Sequence, residues 1–308
     1  MEFEAPDWRL PHSSLSRRRR FAFCPVGYYL YHVPGRDGYG AYPADWHYKL
    51  YCAKHRTHRL SWVRSLFRQA VREYFQSGDN LRKRKLENFI RSRFEREFAL
   101  LVRQAYKSDP KLVAAVIELE EKIITEEYFY DSVLYELNNL CWHFQQSAVW
   151  RDLISRSALD FNFDRSVFRW QLGGINFVNE PDLLWSRGGK LCVLDMNSFD
   201  YPQEQTRAVE LYCACICRFM RIKPEAVQVY CFDMQRLESI ICTADPAADF
   251  TETFRQLAGE AAMWRDYLLK QASSAKDGIW HYARKDNCRN CRFNQLCPAR
   301  HGTAEPES

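Results

Sequence analysis

The chain has 308 residues, 46% of them apolar and 15% aromatic, and its 44 Lys and Arg residues exceed its 39 Asp and Glu residues, for a net charge of +5. This composition excludes a disordered, low-complexity chain, because it supplies ample apolar surface for a packed core. No run of about eighteen apolar residues suggests a membrane span, and the first residues are acidic where a signal peptide would be basic and then apolar. We therefore expect a cytoplasmic protein with no membrane partner, whose twelve cysteines are metal or cluster ligands and core residues rather than disulfides.

The first half of the chain is predicted to be mainly helical. Residues 1–20 are predicted to form a flexible basic segment that ends in four consecutive arginines, and 34–48, rich in Gly, Pro and Tyr, an irregular loop. From about 60 to 157 apolar residues recur at helical spacing, which predicts a helical subdomain. Its predicted helices cover 60–76, 81–107, 111–124 and 126–147.

Residues 160–275 change to a mixed pattern. Short apolar runs predict strands, and longer amphipathic stretches predict helices. This alternation indicates an α/β fold, with a mixed central sheet and helices packed on it. The predicted strands are 161–163, 167–171, 175–178, 183–185, 191–194, 226–233 and 240–243, and the predicted helices are 204–220 and 250–275.

One predicted hairpin carries two acids. Its strands, 183–185 and 191–194, are joined by a Ser-Arg-Gly-Gly turn, with Asp182 just before the first strand and Asp195 at the end of the second. Mg²⁺ and Mn²⁺ prefer oxygen ligands and keep positions open for water and a phosphate oxygen. The two acids therefore predict a hydrolytic metal site, and the alternative is a hairpin whose acids only cap the strand ends.

Three cysteines follow the predicted core with short, regular spacing. Cys288, Cys291 and Cys297 are separated by two and then five residues, which predicts that their thiolates bind one inorganic centre. Spacing does not distinguish a [4Fe–4S] cluster from a structural Zn²⁺ ion, and either needs a fourth ligand. Apart from Cys24, the other cysteines lie in apolar contexts and are predicted to be core residues.

The hairpin and the helix after it resemble a known family. Pro181-Asp182, then Asp195-Met196-Asn197, then a helix carrying Tyr212 is similar to the RecB-like branch of the PD-(D/E)xK nuclease superfamily. The resemblance implies a nuclease-type core covered by a large helical insertion. It also implies that Asp182 and Asp195 bind Mg²⁺ or Mn²⁺ and that Asn197 and Tyr212 belong to the catalytic site.

The chain departs from the family pattern at three positions. Asn197 stands where the family usually has a catalytic Lys, and Ala208 stands where it has Gln. Arg68 is the counterpart of a His that an upstream helix often offers. An Asn can orient a water but supplies no positive charge to the developing phosphate.

The cysteines extend the resemblance to the iron–sulfur members of that branch. Cys24-Pro25 precedes the predicted core and the three later cysteines follow it, which is similar to CRISPR-associated iron–sulfur nucleases, AddB-type nucleases and exonuclease V. The resemblance implies that Cys24, Cys288, Cys291 and Cys297 hold a [4Fe–4S] cluster, with Zn²⁺ as the alternative. The cluster would join the N- and C-termini of a single domain covering 21–300.

Clustered basic residues favour a DNA partner, and single-stranded DNA is one candidate. Phosphate contacts of this kind give salt-dependent affinity that is largely independent of sequence, whereas the alternative for any one cluster is a solvated surface. The residues predicted to bind DNA are Arg17, Arg18, Arg19, Arg20 and Arg68. Further basic clusters are Lys54 with Arg56 and Arg59, Arg82–Lys85, and the group Arg284, Lys285, Arg289, Arg292 and Arg300.

Two functions follow from these patterns. The first is metal-dependent phosphodiester hydrolysis of DNA by a hydrolase with a degenerate active site. The second is a catalytically inactive pseudonuclease that binds DNA or acts as a scaffold in a larger DNA-processing or antiviral defence complex, with a helicase or other protein as partner. A third possibility is a zinc-stabilised α/β protein without a nucleic-acid role.

Overall fold

The computed structural model describes residues 12–13, 15–37, 45–76, 85–155, 168–172, 175–196, 202–243, 250–281 and 285–301. Helices and small sheets alternate along these ranges, so the predicted mixed α/β class is confirmed. None of the helices in the described ranges is long and apolar enough to cross a membrane.

The helices are concentrated in the first half of the chain, and most strands lie in the second half. The helices are α1 Leu15–Phe23, α2 Pro25–His32, α3 Pro34–Asp37, α4 Trp46–Lys54, α5 Arg59–Gln76, α6 Leu86–Val102, α7 Ile117–Glu120, α8 Glu126–Gln146, α9 Ala148–Ile154, α10 Pro202–Met220, α11 Thr251–Ser274 and α12 Pro298–His301. The strands are β1 His12–Ser13, β2 Arg56–Thr57, β3 Ala115–Val116, β4 Phe168–Leu172, β5 Ile175–Asn179, β6 Leu183–Arg187, β7 Lys190–Asp195, β8 Val227–Asp233 and β9 Glu238–Thr243.

A four-stranded sheet in the order β6-β7-β8-β9 lies at the centre of the fold. The β6–β7 and β8–β9 pairs are antiparallel, while β7 and β8 are parallel, with α10 between them in the chain. Gly188 and Gly189 make the β6–β7 turn with φ angles of +54° and +75°, a conformation that residues with a Cβ atom adopt at a cost. The predicted hairpin and mixed sheet are thus confirmed.

The central sheet is covered on both faces because its strands alternate apolar side chains between the two faces. Leu183, Trp185 and Leu194 point into a core shared with the helical layer of α5, α6, α8 and α9. Leu184 and Val193 point the other way and pack with α10 and α11. The sheet is therefore the middle of three layers, and its strand ends lie where the helical layer meets α10.

A third core joins the first helices to the cysteine-rich segment. Tyr28, Leu30 and Leu50 are buried against Tyr267 and Phe293. The indole N–H of Trp46 donates to the carbonyl oxygen of Leu296 (3.4 Å), which fixes α4 to the segment between the last cysteines. The two ends of the described chain therefore pack on each other directly.

Several predicted elements differ from the structure. The predicted helix 111–124 is wrong: Ala115–Val116 pairs in parallel with Arg56–Thr57, and only Ile117–Glu120 is helical. Pro110 and two β-branched valines limit helix formation there, and the pairing supplies other backbone hydrogen bonds. Part of the predicted loop 34–48 forms α3 and the start of α4, and α1 covers 15–20 of the segment predicted to be flexible. The predicted strand 161–163 lies outside the described residues.

Candidate functional site

The hairpin places the two predicted metal-binding acids side by side. The backbone N–H of Asp182 donates to the carbonyl oxygen of Leu194 (2.7 Å), so Asp182 lies beside the end of the strand that carries Asp195. Both side chains are 0% exposed. Two carboxylates buried this deeply require compensating hydrogen bonds or positive charge.

Arg68 supplies that positive charge from the helical layer. Its helix, α5, is held by buried neighbours such as Leu66 and Phe67, which aim Arg68 at the edge of the sheet. The Nε–H of Arg68 donates to Oδ1 of Asp182 (2.9 Å), and the backbone N–H of Met196 donates to Oδ2 (2.7 Å). Each oxygen of Asp182 therefore accepts a hydrogen bond within the protein, one of them from a charged donor.

Tyr212 completes this group, which we call the acid cluster (Arg68, Asp182, Asp195 and Tyr212). Burial, followed by the negative charges of Asp195 and Asp182, raises the pKa of Tyr212 well above its usual value. Burial opposes the charge on Arg68, but the attraction of Asp182 and then of Asp195 outweighs it and raises the pKa of the guanidinium. Arg68 is therefore charged and Tyr212 protonated at neutral pH. Asn197, the fourth predicted catalytic residue, lies outside the described residues.

The acid cluster holds its charges in a closed arrangement. The side chain of Arg68 is 28% exposed, while Asp182 is completely covered by Arg68 and the backbone. Within the ranges that the structure describes, no group of three or more His, Cys, Asp or Glu side chains is arranged to hold a metal ion. A divalent cation at Asp182 would compete with the guanidinium for Oδ1.

The four predicted cluster ligands face one cavity. Cys24, Cys288, Cys291 and Cys297 all line it, although they come from the start of α2 and from the distant segment 285–301. Gly27, one turn into α2, faces the same space: a Cβ atom there would lie 3.9 Å from Sγ of Cys291. The remaining lining residues are Phe23, Val26, Asn287, Asn294, Ala299 and Arg300.

Four thiols are the characteristic donors around this cysteine cavity. Among the described residues its lining contains no carboxylate or imidazole, and the thiols suit soft metal ions and iron–sulfur clusters. Burial raises the pKa of Cys291, and it raises the pKa of Cys297 to about 11. The thiols of Cys291 and Cys297 therefore stay protonated at neutral pH, and a positive inorganic centre would have to displace their protons.

The predicted DNA-binding arginines occupy different environments. Arg18 pairs with Glu260 of α11 (3.0 Å), so part of the arginine run is neutralised within the protein. Arg20 lies 3.5 Å from the ring centroid of Tyr31 and contacts Nε2 of His32 (3.1 Å). Arg19 is half-buried, and the side chain of Arg17 lies outside the described residues. Arg68 belongs to the acid cluster instead of a surface patch.

Sequence reasoning missed a further buried acid, Asp152 of α9. Its Oδ2 accepts hydrogen bonds from the hydroxyl of Tyr230 (2.8 Å) and the indole N–H of Trp185 (3.3 Å), and Arg187 contacts its other oxygen. This network fastens α9 to the central sheet. The sequence could have predicted this burial, because Asp152 lies three positions after Val149 and therefore on the apolar side of a short helix.

Comparisons with known proteins find few relatives. No protein-family model and no curated protein matches the chain. Among solved structures, the chain is similar to the one titled "Crystal structure of SSO0001", with 14% sequence identity and a TM-score of 0.28 over 59% of this chain and 79% of that chain.

Proposed function

We propose that this protein binds DNA as a non-hydrolysing member of the iron–sulfur PD-(D/E)xK type and serves as a scaffold subunit in a DNA-processing complex. The observation that carries the proposal is the contact between Arg68 and Asp182. The DNA-binding part is supported by the sequence resemblance and by the basic clusters. The absence of hydrolysis is proposed because both oxygens of the Asp182 carboxylate accept hydrogen bonds within the protein.

Hydrolysis of a phosphodiester by a divalent cation requires carboxylate oxygens that can leave their protein partners. A catalytic Mg²⁺ binds one or two carboxylates and keeps positions for water and substrate oxygens. In the acid cluster, one oxygen of Asp182 is bound by a guanidinium and the other by the N–H of Met196. Arg68 thus already provides the charge compensation that a metal ion would otherwise provide.

Arg68 has a structural task in this proposal. It crosses from the helical layer to the edge of the central sheet and ends on a fully buried carboxylate. A buried ion pair of this kind fixes the two elements that carry it relative to each other, because each charge is costly to bury without the other. The acids of a nuclease-type site would then hold the helical layer on the sheet.

We infer that the cysteine cavity holds a [4Fe–4S] cluster through Cys24, Cys288, Cys291 and Cys297. The four thiols of the lining support a cluster or Zn²⁺ equally well. The sequence resemblance to the iron–sulfur members of the branch favours the cluster, and Zn²⁺ is the alternative. Bound there, the cluster would cross-link α2 to the segment 285–301.

The test combines binding and cleavage. Protein purified without oxygen is mixed with labelled single- and double-stranded DNA, with Mg²⁺, Mn²⁺ or EDTA, beside Asp195→Ala. We expect salt-dependent binding by both proteins and no metal-dependent cleavage by either. Failure of the wild-type protein to bind any DNA at low salt would refute the proposal.

A second function, metal-dependent DNA cleavage, is favoured by the adjacency of Asp182 and Asp195 at one edge of the sheet. In that case Asp182 and Asp195 would hold Mg²⁺ or Mn²⁺, which would supply Lewis-acid chemistry, and the Arg68 guanidinium would compensate the developing phosphate charge. Cleavage by the wild-type protein that disappears in Asp195→Ala would establish this function in place of the first.

A further inference from the structure

Three cations from distant parts of the chain meet at the ring of Tyr31. The ring centroid lies 3.5 Å from Cζ of Arg20, 5.6 Å from Nζ of Lys54 and 5.9 Å from Cζ of Arg292. The Nη1–H of Arg292 donates to the carbonyl oxygen of Lys54 (2.7 Å), which holds the last of these groups in place. We call Arg20, Tyr31, Lys54 and Arg292 the cation site.

Its two arginines differ from several other half-buried arginines in what they contact. Arg20 contacts the ring of Tyr31 and Nε2 of His32, and Arg292 contacts a carbonyl oxygen. In the part of the chain that the structure describes, neither has a carboxylate within ion-pair distance. Arginines elsewhere do have one: Arg18 pairs with Glu260, Arg56 with Glu120, and Arg93 with Glu97.

Among the described residues, no carboxylate therefore balances the charge of these two arginines. Burial lowers the pKa of Arg20. The positive charge also acts on His55. Burial, followed by the nearby cations, lowers the pKa of its imidazole to about 4. Holding like charges together in a partly desolvated place is unfavourable unless an anion joins them.

We propose that Arg20, Lys54 and Arg292, grouped around Tyr31, bind a backbone phosphate of a nucleic-acid strand. Two guanidinium groups and an ammonium group offer more donors than one carboxylate can use, whereas a phosphate presents several acceptor oxygens to them. All four side chains are half-buried, so the donors are partly desolvated yet reachable from solvent. The partly exposed ring of Tyr31 adds a face on which an adjacent base can stack.

This inference rests on the proposed DNA binding and adds the position of one phosphate. The position is informative because Arg292 directly follows Cys291, a residue of the cysteine cavity. A strand bound at the cation site would therefore run beside that cavity, on the surface shared by the first helices and the segment 285–301.

The test compares the double variant Arg20→Gln/Lys54→Gln with Arg91→Gln, a control that removes an exposed arginine from α6. Binding of a fluorescein-labelled single strand is measured by anisotropy over a range of salt concentrations. We expect the double variant to bind about tenfold more weakly. Its plot of log affinity against log salt should be shallower by about 0.7 for each phosphate of a single strand that the variant fails to neutralise. The control should retain the wild-type affinity and slope.

Thermal unfolding without DNA and the iron content of the double variant test the phosphate site further. Without DNA, the double variant should unfold at the same or a higher temperature than the wild type, because repulsion is relieved. Wild-type affinity and slope in the double variant would overturn the inference. Loss of iron with unchanged DNA binding would also overturn it, since the cations would then compensate the charge of a cluster.

Inorganic pyrophosphate serves as the second probe. If the wild type binds no DNA but is stabilised by pyrophosphate, and the double variant is not, the proposed function fails while a phosphate site survives. If neither DNA nor pyrophosphate binds, both proposals are refuted.

Discussion

Replacing Arg68 by Ala should destabilise the protein and create a site for divalent cations. The change removes the charged partner of Asp182, which is 0% exposed and would keep only the N–H of Met196. Breaking a buried ion pair from one side costs about 3–5 kcal/mol. Because the side chain of Arg68 is 28% exposed, water can partly replace it, and we expect the lower end, about 3 kcal/mol.

Thermal unfolding followed by circular dichroism measures this cost. At roughly 2 °C per kcal/mol for a chain of this size, the midpoint should fall by about 6 °C. Arg72→Ala is the matched control, since Arg72 is half-buried on the same helix. It should lower the midpoint by much less. Added Mn²⁺ should then raise the midpoint of Arg68→Ala by binding between Asp182 and Asp195, while the wild type should not respond.

Two results would refute the reasoning about Arg68. An unchanged midpoint in Arg68→Ala would mean that the ion pair contributes nothing to stability. Equal stabilisation of the wild type and the variant by Mn²⁺ would mean that Arg68 does not keep a cation out of the acid cluster, which is what the nuclease alternative requires.

Other changes probe the rest of the molecule. Cys291→Ser should lose iron and visible absorbance while Cys217→Ser keeps both, and stoichiometric zinc without iron in the wild type would contradict a cluster. Folding holds His55 neutral, since burial and nearby cations lower its pKa from 6.5 to about 4. The stability contributed by neutral His55 is complete above pH 6.5 and is lost as the pH falls towards 4. Between these pH values the stability of the wild type should therefore drop more steeply than that of His55→Gln. Parallel plots of stability against pH for the two proteins would exclude this contribution of His55. Gly35→Ala should destabilise by about 1–3 kcal/mol in chemical denaturation, because its Cβ atom would lie 2.6 Å from the carbonyl oxygen of Leu30; an unchanged midpoint would show that the backbone can shift.

The elements that sequence reasoning located well are those whose own side chains decide their burial. The predicted helix 60–76 corresponds to Arg59–Gln76, and the predicted helix 250–275 to Thr251–Ser274, because each carries a continuous apolar stripe. The sequence predicts the hairpin equally well, since two glycines mark its turn and the strand period puts both acids at one end. Ala115–Val116 became a strand through pairing with a distant segment, which its local sequence does not reveal.

The candidate sites were harder to predict from the sequence, because they also depend on contacts between distant segments. The contact between Arg68 and Asp182 joins residues 114 positions apart, and a single arginine on a charged helix has no feature that identifies its partner. The grouping of Arg20, Lys54 and Arg292 around Tyr31 depends on how two ends of the described chain pack. Spacing can suggest which residues have suitable chemistry, but long-range packing decides which of them meet.

The core shared by the first helices and the segment 285–301 also sets an order of events during synthesis. Trp46 and its partner Leu296 are 250 positions apart, and the surface that buries Tyr28 and Leu30 includes Phe293. Until those later residues leave the ribosome, α2 and α4 expose apolar faces on the nascent chain, where chaperones can bind them. The four cysteines around the cavity also assemble only once Cys297 has emerged. Insertion of the proposed inorganic centre would therefore follow translation of Cys297, and a chain that stalls earlier would be left with an open core.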